Sequence, residues 1–201
     1  MPAAVNQKIR INILRLITPL LLGVIMVSTP ALGVTQFRHE MIEFLGTLLL
    51  LAGVLGRFWS VLYAGGSKNR VVLQDGPYSM TRNPLYFFST VAVTGIGLMF
   101  VAVSYALLLG GVVGLILWIT ARREAAFLSD HFGPEFDAYA ARTPFFIPDP
   151  RLYHSRPAIT FETAALRHNL FDAFVFLAFI PLVELVDELK LFLGWSLFTL
   201  W

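Results

Sequence analysis

The sequence contains no cysteine, and only 14% of its 201 residues are charged. The first absence excludes a disulfide scaffold, a thiolate nucleophile and a cysteine-ligated metal, and leaves the compartment unread. The second lies well below the roughly 25% of an average soluble domain. With a net charge of +2 and basic residues scattered over loops, the chain also lacks the electrostatic footprint of a nucleic-acid binder. The four histidines, His39, His131, His154 and His168, are too dispersed to indicate a metal site. No repeat, low-complexity tract or interdomain linker is present, so residues 1–201 are expected to form one domain. What is abundant is apolar surface: 57% of the residues are hydrophobic and the mean hydropathy is +0.71. So little polar area cannot cover a water-soluble globule, and lipid must supply part of the solvent.

A helix needs about 20 mostly apolar residues to cross the hydrocarbon, so the apolar runs can be counted as spans. Five are expected: Ile11 to Val34, Met41 to Tyr63, two within the uncharged stretch Leu85 to Thr120 with a turn near Val101 to Ser104, and a last one from Asn169 to Val186, interrupted at Pro181. The fold class is an all-α polytopic integral membrane protein. Basic residues orient it. With the N-terminus cytoplasmic, thirteen of the fifteen Lys and Arg face the cytoplasm, leaving Arg38 and Lys190 outside. The first span also fits a signal peptide, with basic residues ahead of a short apolar core and small residues following at Ser28 to Gly33; its cleavage would leave the later orientation unchanged.

Two cytoplasmic segments remain, Gly65 to Pro84 and Ala121 to His168. In the first, Asp75-Gly76-Pro77 is turn chemistry, and Pro84 suits the first turn of a helix while holding Asn83 extended. Tyr78, Arg82, Asn83, Pro84 and Tyr86 then crowd nine residues beside a lipid-facing helix. A surface loop with a Tyr in the aromatic belt accounts for any one of them, but their density offers hydrogen bonds and aromatic faces to a polar ligand. In the second segment, Phe127, Leu128, Phe132, Phe136 and Tyr139 mark an amphipathic helix along the membrane, broken at Gly133-Pro134. Arg122 and Arg123 read either as the positive-inside flank of the preceding span or as ligand groups. Glu124 contributes little to orientation, so it reads either as a ligand group or as a salt-bridge partner of Arg82 or Arg123. In the last span, Asp172 stands apart from Glu184, Asp187 and Glu188, which fall at the expected outer interface as solvated carboxylates.

Gly76-Pro77-Tyr78, Arg82-Asn83-Pro84-Leu85-Tyr86, a helical hairpin, Glu124, Phe132-Gly133 with Tyr139, and Pro144 to Pro148 form an ordered set. It resembles the isoprenylcysteine carboxyl methyltransferase and phospholipid methyltransferase family of integral-membrane, S-adenosylmethionine-dependent enzymes, over a core of residues 63–148. The resemblance implies a cofactor site made from Arg70, Val71, Val72, Leu73, Tyr78, Arg82, Asn83, Pro84, Leu85, Tyr86 and Glu124. It implies a substrate side at Thr120 and Arg123. The chain departs from the family at three places: Asn83 stands for a usual His, Ala125 for a second Glu, and Thr120 for an Arg. Asn cannot carry a proton near neutral pH, which excludes acid–base chemistry at position 83.

Methyl transfer from a sulfonium is an in-line displacement that rests on positioning and electrostatics, and it needs no metal. The resemblance implies a lipophilic or membrane-partitioned acceptor entering from the bilayer, with S-adenosylmethionine entering from the cytoplasm. Two other readings stand beside it: a membrane reductase of related architecture using NADPH, for which Lys68 and Arg70 can supply phosphate contacts, and a non-catalytic membrane protein.

Overall fold

The computed structural model describes residues 28–30, 36–65, 71–159, 161, 163–193 and 198–200. Helix α1, Gln36–Ala64, is followed by a single turn, α2, Pro77–Met80, and by the hairpin of α3, Pro84–Met99, and α4, Val103–Phe132. A short α5, Pro134–Arg142, a 3₁₀ turn at Pro150–Leu152, and the helices α6, Thr163–Leu177, and α7, Phe179–Leu193, complete the helical order. Two three-residue strands, β1, Ser28–Pro30, and β2, Phe198–Leu200, pair in parallel.

Among the described residues, three helical stretches are long and apolar enough to cross a membrane: Phe37–Ala64, Val103–Phe132 and Asn169–Val186. With the shorter apolar α3 they account for four of the five expected spans. The first expected span lies outside the described residues except for Ser28–Pro30, which is extended where a helix was expected. Pro30 accounts for this locally, because it disfavours helical backbone at Thr29. The hairpin turns at Phe100–Ala102, close to the expected place. α4 does not stop at the membrane surface as the division into span and amphipathic segment expected. Its 30 residues make a rod of about 45 Å that carries Arg122, Arg123 and Glu124 onward to Phe132. The amphipathic segment is therefore the end of α4 plus α5, joined at Gly133 with φ of 56°.

The last span breaks at Ala178, three residues before Pro181. A proline ring clashes with the carbonyl four residues earlier, here that of Leu177, so α6 ends there and Pro181 sits in the first turn of α7.

Helix α3 lies between α1 and α4 because small residues let the backbones touch. A Cβ on Gly53 would stand 2.5 Å from the backbone nitrogen of Ala92, and one on Gly95 2.5 Å from that of Leu50. On the other side, Gly97 abuts Ala106 and Gly110 abuts Thr94. A core of Leu50, Val54, Ala92, Ile96, Met99 and Tyr105 fills the bundle, with Ala173, Val183 and Val186 of α6 and α7 packed into it.

Candidate functional site

The site forms where α3 begins. Gly76, with φ of 60°, lets the chain turn directly beneath Tyr63, whose ring would lie 2.4 Å from any Cβ at that position. Pro77 and Pro84 then open α2 and α3 at positions where a missing N–H costs nothing.

The backbone between these prolines is held by the segment after α5. The Asp149 amide donates to Met80 O at 3.0 Å, the Arg82 amide to Pro144 O at 2.9 Å, and the Thr81 hydroxyl to Phe146 O at 3.0 Å. The Asn83 side-chain amide donates to Phe145 O at 2.8 Å. From α5, the Tyr139 hydroxyl donates to Tyr78 O at 2.7 Å. Five bonds between residues 78–83 and 139–149 thus make one rigid wall from two stretches far apart in sequence.

Behind that wall stands a polar cluster. Burial pushes the Tyr78 phenol well above the usual tyrosine range, and the charges of Tyr139, Glu124 and Tyr86 push it further. Burial likewise raises Tyr139, against the pull of the Arg82 and Arg142 cations. Desolvation lowers the Arg82 guanidinium, and the Tyr139 hydroxyl partly offsets that. The guanidinium lies over the Phe145 ring at 5.1 Å, and its buried Nε has no hydrogen-bond partner among the described residues. A buried cationic N–H without an acceptor is costly, which makes this atom a candidate to bind an anion or a carbonyl.

Of the residues singled out in the sequence, Glu124 and Tyr86 act electrostatically on Tyr78, and Arg82 is linked in the same way to Tyr139. Asn83 is beside them, but its amide is engaged with backbone. Pro84 is buried at the head of α3, and Leu85 is half-buried next to it. Val71 is exposed while Val72 and Leu73 are half-buried on the approach, and Arg70 lies outside the described residues. Of the two residues expected to face a substrate, Thr120 is buried with its hydroxyl donating to Ile116 O at 2.8 Å, and Arg123 is exposed.

Sequence reasoning passed over Phe145 as a site residue. Its ring meets Trp118 of α4 edge-on at 6.0 Å on one side and Arg82 on the other, and Arg122 caps Trp118 at 4.6 Å. The two prolines at 144 and 148, which fix an extended run between them, were the available signal. The next residues, Phe146 and Ile147, turn to the other face of the run. There they join Leu49 of α1 and Phe87, Thr90, Val91 and Thr94 of α3 in an open apolar groove of about 290 Å³. Among the described residues, no group of three His, Asp or Glu side chains gathers to hold a metal ion.

Residues 41–135 match the model of the phospholipid methyltransferase family. The nickel-cobalt-cadmium resistance protein NccN of Alcaligenes xylosoxydans xylosoxydans is 35% identical over 142 residues, which is 71% of this chain and 66% of that protein. The cobalt-zinc-cadmium resistance protein CzcN of Cupriavidus metallidurans is 34% identical over 143 residues, again 71% and 66% of the two lengths. The chain thus spans just under two thirds of the length of these relatives. No solved structure matches the chain. Through residues 41–135, which run from the membrane helix α1 past Glu124 to the start of α5, the chain belongs to the phospholipid methyltransferase family, in the group that includes the isoprenylcysteine carboxyl methyltransferases.

Proposed function

We propose that the protein transfers a methyl group from S-adenosylmethionine to a lipophilic acceptor held in the membrane. The observation that carries this reading is the buried Nε of Arg82, which has no hydrogen-bond partner among the described residues, beside the Phe145 ring, with an apolar groove on the Phe146 and Ile147 side of the same run. The donor set suits the cofactor. Arg82 can take its carboxylate, Glu124 its ribose hydroxyls or amino group, and the faces of Tyr78 and Tyr86 its cationic sulfonium, an attraction of roughly 0.5–2 kcal/mol.

When bound, S-adenosylmethionine supplies an electrophilic methyl group on a positively charged sulfur. The chain's own part is to orient and to exclude water. Phe145 and Trp118 wall off the Arg82 side, while Phe146 and Ile147 face the groove, so the wall of residues 143–149 separates a polar compartment from an apolar one. Neither Tyr78 nor Tyr139 ionises near neutral pH, so both serve as neutral hydrogen-bonding groups. Thr120, which is buried, and Arg123, which is exposed on α4, are the residues this reading assigns to the acceptor. The distribution of basic residues supports a site that opens to the cytoplasm.

Calorimetry of the purified protein in detergent, with S-adenosylhomocysteine and NADPH in separate runs, tests the reading. Binding of S-adenosylhomocysteine alone is expected. Binding of NADPH alone would replace it with the reductase reading, and binding of neither with a non-catalytic one. Transfer of labelled methyl from S-adenosylmethionine into organic-extractable membrane material then identifies the acceptor.

A further inference from the structure

One charged group lies inside the membrane helices and away from the site. Arg57 is in the C-terminal half of α1, and its side chain is only 15% exposed. One guanidinium nitrogen bonds the Asp172 carboxylate of α6 at 3.2 Å, another bonds the Ser89 hydroxyl of α3, and the carbon end lies 5.3 Å from the Phe176 ring. Ser89 is buried and donates in turn to Leu85 O at 2.6 Å, in the first turn of α3 and next to Tyr86. α6 lies beyond residues 41–135, so the contact joins a helix outside the family-matched region to the helix that carries the site.

We propose that Arg57 and Asp172 are positioning residues: a clasp that docks α6 onto α1 and, through Ser89, fixes the first turn of α3 on which Leu85 and Tyr86 stand. Three physical facts support it. An Arg in a membrane span is costly without a partner, and Asp172 is the only acid that the described structure places against this one. The pair closes a seam already made apolar by Ala173 one residue further on, which is buried in the core with Val183 and Val186 of α7. Finally, the Ser89 hydroxyl both accepts from Arg57 and donates to Leu85 O, so displacement of the guanidinium is felt at a carbonyl in the first turn of α3. The positioning part rests on the cofactor reading above, whereas the docking part does not.

The absence of cysteine makes the test clean. Ala173→Cys places one thiol in the buried seam, and its rate of maleimide labelling in detergent reports docking. S-adenosylhomocysteine affinity, measured by calorimetry on the full chain, reports the site. Asp172→Asn is expected to speed labelling and to weaken S-adenosylhomocysteine binding, each roughly tenfold, the loss of one charge-assisted hydrogen bond. Asp172→Glu is expected to restore both. An Arg57→Leu/Asp172→Leu pair, which replaces the ions by apolar groups, is expected to keep the thiol protected, because removing both partners leaves no orphaned charge. It should still weaken binding, since Ser89 has lost its donor. If Asp172→Asn leaves the thiol protected, the clasp is overturned. If labelling rises while affinity is unchanged, α6 docks there without positioning the site. A parent that binds no S-adenosylhomocysteine sinks the cofactor reading and the positioning claim together, while the labelling still decides the docking.

Discussion

Substitution of Asn83 offers the sharpest examination of the site, because sequence and structure assign it different work. As a family position it belongs to the cofactor, but its amide donates to Phe145 O at 2.8 Å and thereby sets the ring that lies between Arg82 and Trp118. Asn83→Ala removes the donor and leaves that carbonyl unsatisfied. A neutral hydrogen bond contributes about 0.5–1.5 kcal/mol and an orphaned buried carbonyl costs about 1–3 kcal/mol. Because Asn83 is half-buried, water recovers part of this, and a net loss of about 1–2 kcal/mol is expected. For a chain of this size that lowers the melting temperature in detergent by about 2–8 °C. Asn83→His keeps an N–H donor and should lose less, whereas Asn83→Asp offers the carbonyl only acceptors and should lose more. The expected order of stability is parent, His, Ala, Asp. The rate–pH profile of Asn83→His should show no new limb near the His pKa of about 6.5, since the group faces a carbonyl and not the acceptor. An Asn83→Ala protein as stable as its parent would refute the positioning argument. A new limb with a large gain in rate would show that position 83 touches proton transfer.

Glu124→Gln, which keeps the shape and removes the charge, is expected to weaken S-adenosylmethionine binding roughly 10- to 150-fold, corresponding to about 1.5–3 kcal/mol; unchanged affinity in a folded protein would remove Glu124 from the cofactor site. Gly95→Val should prevent α1 and α3 from meeting, since even a Cβ falls 2.5 Å from Leu50 N; the protein should fail to survive solubilisation, and normal yield and melting would contradict the packing described. Because burial raises the Tyr78 and Tyr139 phenols, folding favours their neutral forms. Their contribution to stability is complete below the unfolded tyrosine value of about 10 and is lost as pH rises from there toward the raised folded values. Tyr78→Phe with Tyr139→Phe should flatten that alkaline fall in melting temperature. Ser67→Cys should label from the cytoplasmic side only, and labelling from outside in intact cells would invert the orientation.

The sequence by itself determined how many apolar rods exist and where the chain turns, because membrane spans are set by length and polarity, both of which are local. The hairpin turn at Phe100–Ala102 and the break at Gly133-Pro134 were legible for that reason. Tertiary structure decided what each polar group spends its hydrogen bonds on. Asn83 bonds a carbonyl sixty-two positions away, and Asp172 bonds Arg57 across one hundred and fifteen, and no periodicity records such partners. The interruption at Pro181, by contrast, is a local clash between the proline ring and the preceding turn and was legible in the sequence. Tertiary contact also fixed the place of α3, which is apolar on every side like a lipid-facing helix. It sits between α1 and α4 because glycines on all three helices remove the side chains that would hold the backbones apart.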